Sequence, residues 1–121
     1  MAGIDDKITA LEFTRDSSKT RDQVRLILDD AARVVQGEKL VLTDVSDSVV
    51  SGVARNFVRV QHAQFRFTLT PGADGGTRVG LRIPDYLRVR ETMLAFIPVS
   101  PWTAPAYKTL RELSGYVSSR L

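Results

Sequence analysis

The amino-acid sequence predicts an α+β fold in which an antiparallel sheet of about six strands wraps on a C-terminal helix. Three observations lead to this class. Two segments have the 3.6-residue hydrophobic period of helices, the stretch between them has a period of two, and short turns rich in Gly, Asp and Pro separate its strands. Consecutive strands joined by short turns pair antiparallel, and two helices can cover the apolar face. The predicted order is β-α-β5-α in one domain, residues 1–121.

The first strand is predicted at residues 7–15, because Thr9, Leu11 and Phe13 share one face and alternate with other positions. The segment 16–18, Asp-Ser-Ser, then ends the alternation and leads into a helix.

The start of that helix is predicted at Thr20, since Gln23 follows three residues later and the two form a capping-box signature. Gly37 stands where a C-terminal cap is expected. The apolar stripe has the spacing of a helix packed on a core and consists of Val24, Ile27, Leu28, Ala31, Val34 and Val35.

The following strands are predicted at 38–43, 49–55, 57–70, 78–83 and 87–99. In the third of these the apolar parity changes between Val60 and Ala63, which predicts a bulge or bend near residues 61–62. Residues 71–76 read as a hairpin loop and residues 84–85 as a turn.

The least polar stretch, residues 92–107, is too short to span a membrane, which takes ~20 residues, and it contains three prolines. We interpret it as the end of the last strand, a corner and the start of the terminal helix. Thr103 or Ala104 is the predicted cap, with Pro105 in the first turn. The apolar stripe of this helix is Ala106, Leu110, Leu113, Val117 and Leu121.

The composition narrows the class of function. The absence of cysteine excludes a disulfide framework, a thiolate metal site and a cysteine nucleophile. The first residues lack the pattern of a signal peptide, and we expect a cytoplasmic protein. Residues 51–121 carry ten basic and four acidic side chains, against seven and ten in residues 1–50. This asymmetry permits an anionic partner, but solvated arginines on an outer sheet face are the explanation that we favour.

Three stretches of the sequence resemble the START-like, or SRPBCC, superfamily. They are LEFTRDSSKTRDQVRLILDD, the hairpin FRFTLTPGADGGTRVGLRI and the ending FIPVSPWTAPAYKTLRELSGYVSSRL, which is similar to that of small actinobacterial-type members. The resemblance implies the helix-grip fold, with an internal apolar cavity between the sheet and the terminal helix. It also implies hydrophobic ligands such as lipids, sterols or polyketides, and it transfers no catalytic residue, since the superfamily shares none.

Two polar residues are candidates for chemistry. Parity places Glu91 on the apolar face, where it would bind a polar ligand group or act as a general acid or base. An outward-turned or ion-paired Glu91 is the competing interpretation. His62, the one histidine, lies at the parity change, and we interpret it as structural, because a catalytic histidine needs positioned partners.

The remaining signals are weaker. Trp102, Tyr107 and Tyr116 suit either a cavity mouth or ordinary packing. Six arginines recur on the presumed outer sheet face without interleaved aromatics, so we predict no nucleic-acid partner. No spacing of His, Asp or Glu indicates a metal, and we expect no cofactor.

We therefore favour non-catalytic binding of an apolar small molecule or lipid. The alternatives are a small cyclase- or isomerase-like enzyme that uses Glu91, and a protein-interaction domain with a filled core. The predicted cavity residues are Leu11, Phe13, Phe65, Phe67, Leu81, Glu91, Met93, Trp102, Tyr107 and Leu110.

Overall fold

The computed structural model describes residues 3–89, 92–93, 97–98 and 103–121. The helices are α1 (Ile4–Thr9), α2 (Arg21–Val34) and α3 (Tyr107–Arg120). The strands are β1 (Phe13–Ser17), β2 (Lys39–Val45), β3 (Val49–Arg55), β4 (Gln61–Pro71), β5 (Thr77–Tyr86), β6 (Thr92–Met93) and β7 (Ile97–Pro98).

The fold is α+β, with an open antiparallel sheet of five strands in the order β1-β5-β4-β3-β2 and a C-terminal helix. The α+β class and the antiparallel sheet are as the sequence predicted. The count of six strands is not confirmed, because no described residue of the expected strand at 87–99 belongs to a strand of this sheet. Leu87 and Val89 are exposed there, and Val89 forms an isolated bridge with Thr103. In the part of the chain that the structure describes, β6 and β7 form a separate two-stranded sheet, and Pro98 lacks the N–H group that a central strand would donate.

The predicted N-terminal strand at 7–15 is wrong in its first half, where α1 forms instead. Ile4 and Ile8 lie four residues apart and so share a helical face, and Ile8 is buried. Asp5 and Asp6 occupy the first turn, where the helix dipole favours negative charge. β1 consequently begins only at Phe13.

The capping box of α2 is present as predicted. The Thr20 hydroxyl accepts from Gln23 N at 3.3 Å, and the Gln23 side-chain oxygen accepts from Thr20 N at 2.9 Å. Val24, Leu28 and Ala31 are buried. The helix ends two residues earlier than expected, since Val35 and not Gly37 is its C-cap, and Val34 points to solvent.

The predicted bulge between β3 and β4 is confirmed. Ala54 faces Ala63 while Arg55 faces Gln61, so His62 is the extra residue on β4. The strand expected from residue 57 begins only at Gln61. The apolar residues before it lie in a loop, and this explains the change of parity.

β5 runs through the predicted turn at residues 84–85 and ends at Tyr86. A second bulge in β5 accommodates Pro84, because Gln64 faces Asp85 but Arg66 faces Arg82. The Glu12 carboxylate accepts from Ile83 N at 2.7 Å at this bulge.

The core lies between one sheet face and the helices α2 and α3. α3 starts at Tyr107, with Ala106 as N-cap, later than the predicted Thr103 or Ala104. Its apolar stripe faces the sheet as expected, with Leu110, Leu113 and Val117 buried. The other buried apolar side chains of this core include Leu28, Val50, Phe65, Phe67, Leu69, Val79 and Leu81.

Candidate functional site

The four central cavity candidates come together under α3. Phe65, Phe67, Leu81 and Leu110 are each 0–1% exposed and belong to one cluster of buried side chains. The Phe65 and Phe67 rings meet edge to face, with centroids 5.9 Å apart. Alternation along β4 and β5 turns these residues inward, and the helical period does so for Leu110.

Three further candidates, Leu11, Phe13 and Tyr107, are half-buried and pack against the same cluster. Phe13 pairs with Leu81 across β1 and β5. Leu11 lies beside α3, because its carbonyl oxygen accepts from the Ser114 hydroxyl at 2.8 Å. The structure thus groups seven of the ten predicted residues in or around one core.

The other three candidates have no described side-chain position. Glu91 and Trp102 lie outside the described residues, and Met93 is described only as a backbone position in β6. The hypothesis that Glu91 acts as an acid or base stays a prediction.

His62 has two polar neighbours that link three segments of the chain. Its Nδ1 lies 2.5 Å from Glu38 Oε1, and its Nε2 lies 3.5 Å from the Asn56 side-chain nitrogen. An Nδ1–H tautomer donates to Glu38 and leaves Nε2 to accept from Asn56. This arrangement fits the structural role that the sequence favoured for His62.

Glu38 is a polar residue that the sequence analysis did not single out. Its Oε2 is buried and has no hydrogen-bond partner within the described part of the chain. Its backbone N–H donates to the Thr109 hydroxyl at 3.0 Å, which ties the start of β2 to α3. No local sequence pattern signals this contact, because it joins residues distant along the chain.

A wide depression lies elsewhere, between the end of α2, the edge strand β2 and the β3–β4 loop. This β2 groove is open to solvent and has a volume of about 1200 Å³. Ala32, Val35, Leu40 and Leu42 contribute apolar lining, and Phe57 comes from the loop. The groove was not predicted from the sequence, because residues 57–60 have the pattern of a strand and were expected to continue into β4.

The outer sheet face is polar, and its arginines contact neighbouring strands. Arg78 pairs with Asp16 at 2.9 Å, and Arg82 donates to the Phe13 carbonyl oxygen at 3.1 Å. The hydrogen bond and the charge of Arg78 hold the pKa of Asp16 below its ordinary value of 3.8. Phe65 and Phe67 lie on the opposite face, so the absence of a nucleic-acid partner stays our prediction.

A second polar contact joins α1 to the end of β5. The Tyr86 hydroxyl donates to the Asp5 carboxylate, and Arg88 Nη1 lies 3.2 Å from the same group. Burial, followed by the hydrogen bond to Asp5, raises the pKa of Tyr86 above its ordinary value. These contacts are structural, because they hold the short helix α1 against the sheet.

Among residues 3–89, 92–93, 97–98 and 103–121, no group of three or more His, Asp or Glu side chains is placed to hold a metal ion. In the same part of the chain, no helix has the length and apolar content needed to cross a membrane. Comparison with protein-family models, with curated proteins and with solved structures gives no match to this chain.

Proposed function

We propose that this chain is a helix-grip domain of the START-like (SRPBCC) superfamily that binds an apolar small molecule or lipid without catalysis. One observation supports the proposal above the others. α3 lies across the apolar face of an antiparallel sheet and is attached at several points along its length. Thr109 contacts the start of β2, Ser114 contacts Leu11, and the Leu121 carbonyl oxygen accepts from the Ser17 hydroxyl at 3.2 Å.

The proposed binding space lies between α3 and the sheet, next to Phe65, Phe67, Leu81 and Leu110. These side chains are fully buried in one cluster, so a ligand enters only if α3 moves away from the sheet. α3 is held by the buried side chains of Leu110, Leu113 and Val117 and by single hydrogen bonds, each of which contributes about 0.5–1.5 kcal/mol. Binding of an apolar ligand is able to offset their loss, since burial of apolar area contributes roughly 25 cal/mol per Å².

The test locks α3 in place. A Cβ built on Gly37 lies 3.7 Å from the Thr109 Cβ, within the Cβ–Cβ range of about 3.5–4.5 Å for a disulfide. Because the chain has no cysteine, the double variant Gly37→Cys/Thr109→Cys forms one defined cross-link. Native mass spectrometry then measures the uptake of a long-chain fatty acid by the oxidised and the reduced variant.

We expect a 1:1 adduct with the wild-type chain and with the reduced variant, and its loss on oxidation. The reduced variant is the control for the two substitutions, including the strain of a side chain at the positive φ of Gly37, which is 106°. An oxidised variant that takes up the fatty acid equally well would show that α3 does not gate the site. A wild-type chain with no adduct, as purified or after incubation, would contradict lipid binding itself.

A second candidate function is a protein-interaction domain with a filled core. The close burial of Phe65, Phe67, Leu81 and Leu110 favours it, because a packed interior leaves no space for a ligand while α3 lies on the sheet. The same mass measurement separates the two functions, since a filled core predicts no saturable uptake of fatty acid.

A further inference from the structure

The loop between β3 and β4 presents a concentrated apolar surface to solvent. Phe57 is 97% exposed, Val58 is 58% exposed and Val60 is 49% exposed. Single exposed apolar residues are common, but three within four consecutive positions make a contiguous patch that requires an explanation. We call residues 56–60 the docking tip.

Local hydrogen bonds hold the docking tip in one conformation. The Asn56 side-chain oxygen accepts from Val58 N at 3.1 Å and from Val60 N at 2.9 Å. The Asn56 backbone N–H donates to the Val60 carbonyl oxygen at 3.0 Å. Arg59 adopts a left-handed φ of 67°, which a side chain such as arginine adopts at a cost. Phe57 is thus displayed by a formed loop.

The surroundings of the docking tip are basic. Lys39, Arg55 and Arg59 line the adjoining β2 groove and make no ion pair within the described part of the chain.

The two carboxylates that line the same groove are both engaged. Asp29 pairs with Arg33, and Glu38 contacts His62. Three cations that make no ion pair among the described residues therefore line the same groove as an exposed phenylalanine, and this groove carries a local positive charge.

We propose that the docking tip binds the surface of an anionic phospholipid bilayer. Phe57, Val58 and Val60 enter the boundary between headgroups and acyl chains, while Lys39, Arg55 and Arg59 contact lipid phosphates. A loop with an exposed apolar apex next to a group of cations matches the layered chemistry of a bilayer surface, which is apolar inside and anionic outside. Charge complementarity thus favours a bilayer over a protein surface. The inference rests on the loop and the cations of the adjoining groove, so it holds whether or not a ligand binds beneath α3.

The test is co-sedimentation with vesicles of phosphatidylcholine alone and of phosphatidylcholine with phosphatidylglycerol. We expect binding to the anionic vesicles that weakens as salt is added. Phe57→Ser should lower the partition coefficient about tenfold, as expected for one apolar side chain leaving the interface. Arg55→Gln should lower it about fivefold, as expected for one charge near an anionic surface.

The chain offers matched controls for both changes. Leu26→Ser replaces a residue on α2 that is 64% exposed, and Arg111→Gln removes an exposed charge on α3. Neither residue belongs to the docking tip or lines the β2 groove, so both variants should bind as the wild type does. Phe57 makes little contact with the rest of the fold, and Phe57→Ser should keep the wild-type unfolding midpoint.

A fluorescent probe reports insertion directly. Val58→Cys and Leu26→Cys each carry one environment-sensitive label, because the chain has no other cysteine. We expect emission from position 58 to rise on adding anionic vesicles, and emission from position 26 to stay constant. Equal responses at the two positions, or wild-type affinity in Phe57→Ser, would overturn the proposal. So would a wild-type chain that binds no vesicle, an outcome that would point to a protein partner for the tip.

Discussion

The ion pair between Asp16 and Arg78 joins the edge strand β1 to its neighbour β5 on the solvent side of the sheet. Asp16 and Arg78 are register partners, so their side chains meet without distortion of the backbone. Directly opposed charges of opposite sign stabilise a strand pair modestly. The pair holds the pKa of Asp16 low because Arg78 hydrogen-bonds to the charged carboxylate.

We predict a pH dependence of stability from this pair. Since the folded-state pKa is lowered, the contribution is present above the unfolded value of about 3.8 and is lost as pH falls through the folded value. An NMR titration of the Asp16 carboxyl carbon should give a midpoint below 3.8, and Arg78→Gln should raise it. Arg111→Gln is the control and should leave the midpoint unchanged. A titration midpoint of Asp16 that is the same in the wild type and in Arg78→Gln would show that the pair does not form in solution.

β3 passes close beneath an aromatic ring at Gly52. A Cβ built on Gly52 lies 2.4 Å from Phe65 Cζ and 2.7 Å from the Val41 carbonyl oxygen. The second of these atoms belongs to the backbone and has little freedom to move. On the exposed side of α3, a Cβ added to Gly115 would have no atom within 4 Å, so the same substitution meets no obstacle there.

Gly52→Ala and Gly115→Ala should therefore have opposite effects. Gly52→Ala overpacks the sheet and should lower the free energy of unfolding by about 1–3 kcal/mol. Gly115→Ala should raise it by about 0.5–1 kcal/mol, because alanine loses less backbone entropy in a helix. Urea unfolding curves measure both values. If Gly52→Ala were neutral, Phe65 would have to lie differently from its described position.

Elements with strong periodicity were predictable from sequence. The α2 capping box, the buried alternation of β4 and β5 and the stripe of α3 depend on local spacing, which the chain carries within a few residues. α1 was not predicted because its Ile4–Ile8 pair spans only one helical turn. In addition, Thr9, Leu11 and Phe13 alternate with the two-residue period of a strand. Pro84 was predicted to lie in a turn because proline usually interrupts a strand. The bulge that accommodates it within β5 is defined by the pairing with β4, which local sequence does not reveal.

At the scale of the whole molecule, α3 completes the single core that every strand of the large sheet and α2 share. Its Leu110, Leu113 and Val117 are buried against the same cluster as Phe65 and Phe67. The grouping of the four buried candidates was predictable, because strand alternation turns Phe65, Phe67 and Leu81 inward and the helical period does so for Leu110. The β2 groove was not, because its walls come from α2, β2 and a loop that meet only after folding.

Removal of α3 should consequently unfold the domain. Deletion of residues 103–121 exposes the apolar face of the sheet to water, and we expect loss of the cooperative melting transition together with aggregation. Circular dichroism and size-exclusion chromatography measure the two effects. A truncated chain that stayed monomeric with an unchanged melting curve would contradict the assigned core. Arg120→Gln, an exposed substitution at the end of α3, is the matched control and should melt almost as the wild type does.

The pairing of β1 with β5 has a consequence for how the chain folds. β2, β3, β4 and β5 follow one another and pair through short connections, so their contacts form at a small cost in loop-closure entropy. β1 reaches its partner only after all the intervening chain is in place, which makes it the contact of longest range in the sheet. During synthesis the four-strand meander is therefore able to form first, while α1 and β1 are not yet paired with the sheet. We expect pairing of β1 with β5 to be the late step that completes the sheet. In refolding followed by hydrogen exchange, the amides of β1 should be the last to become protected.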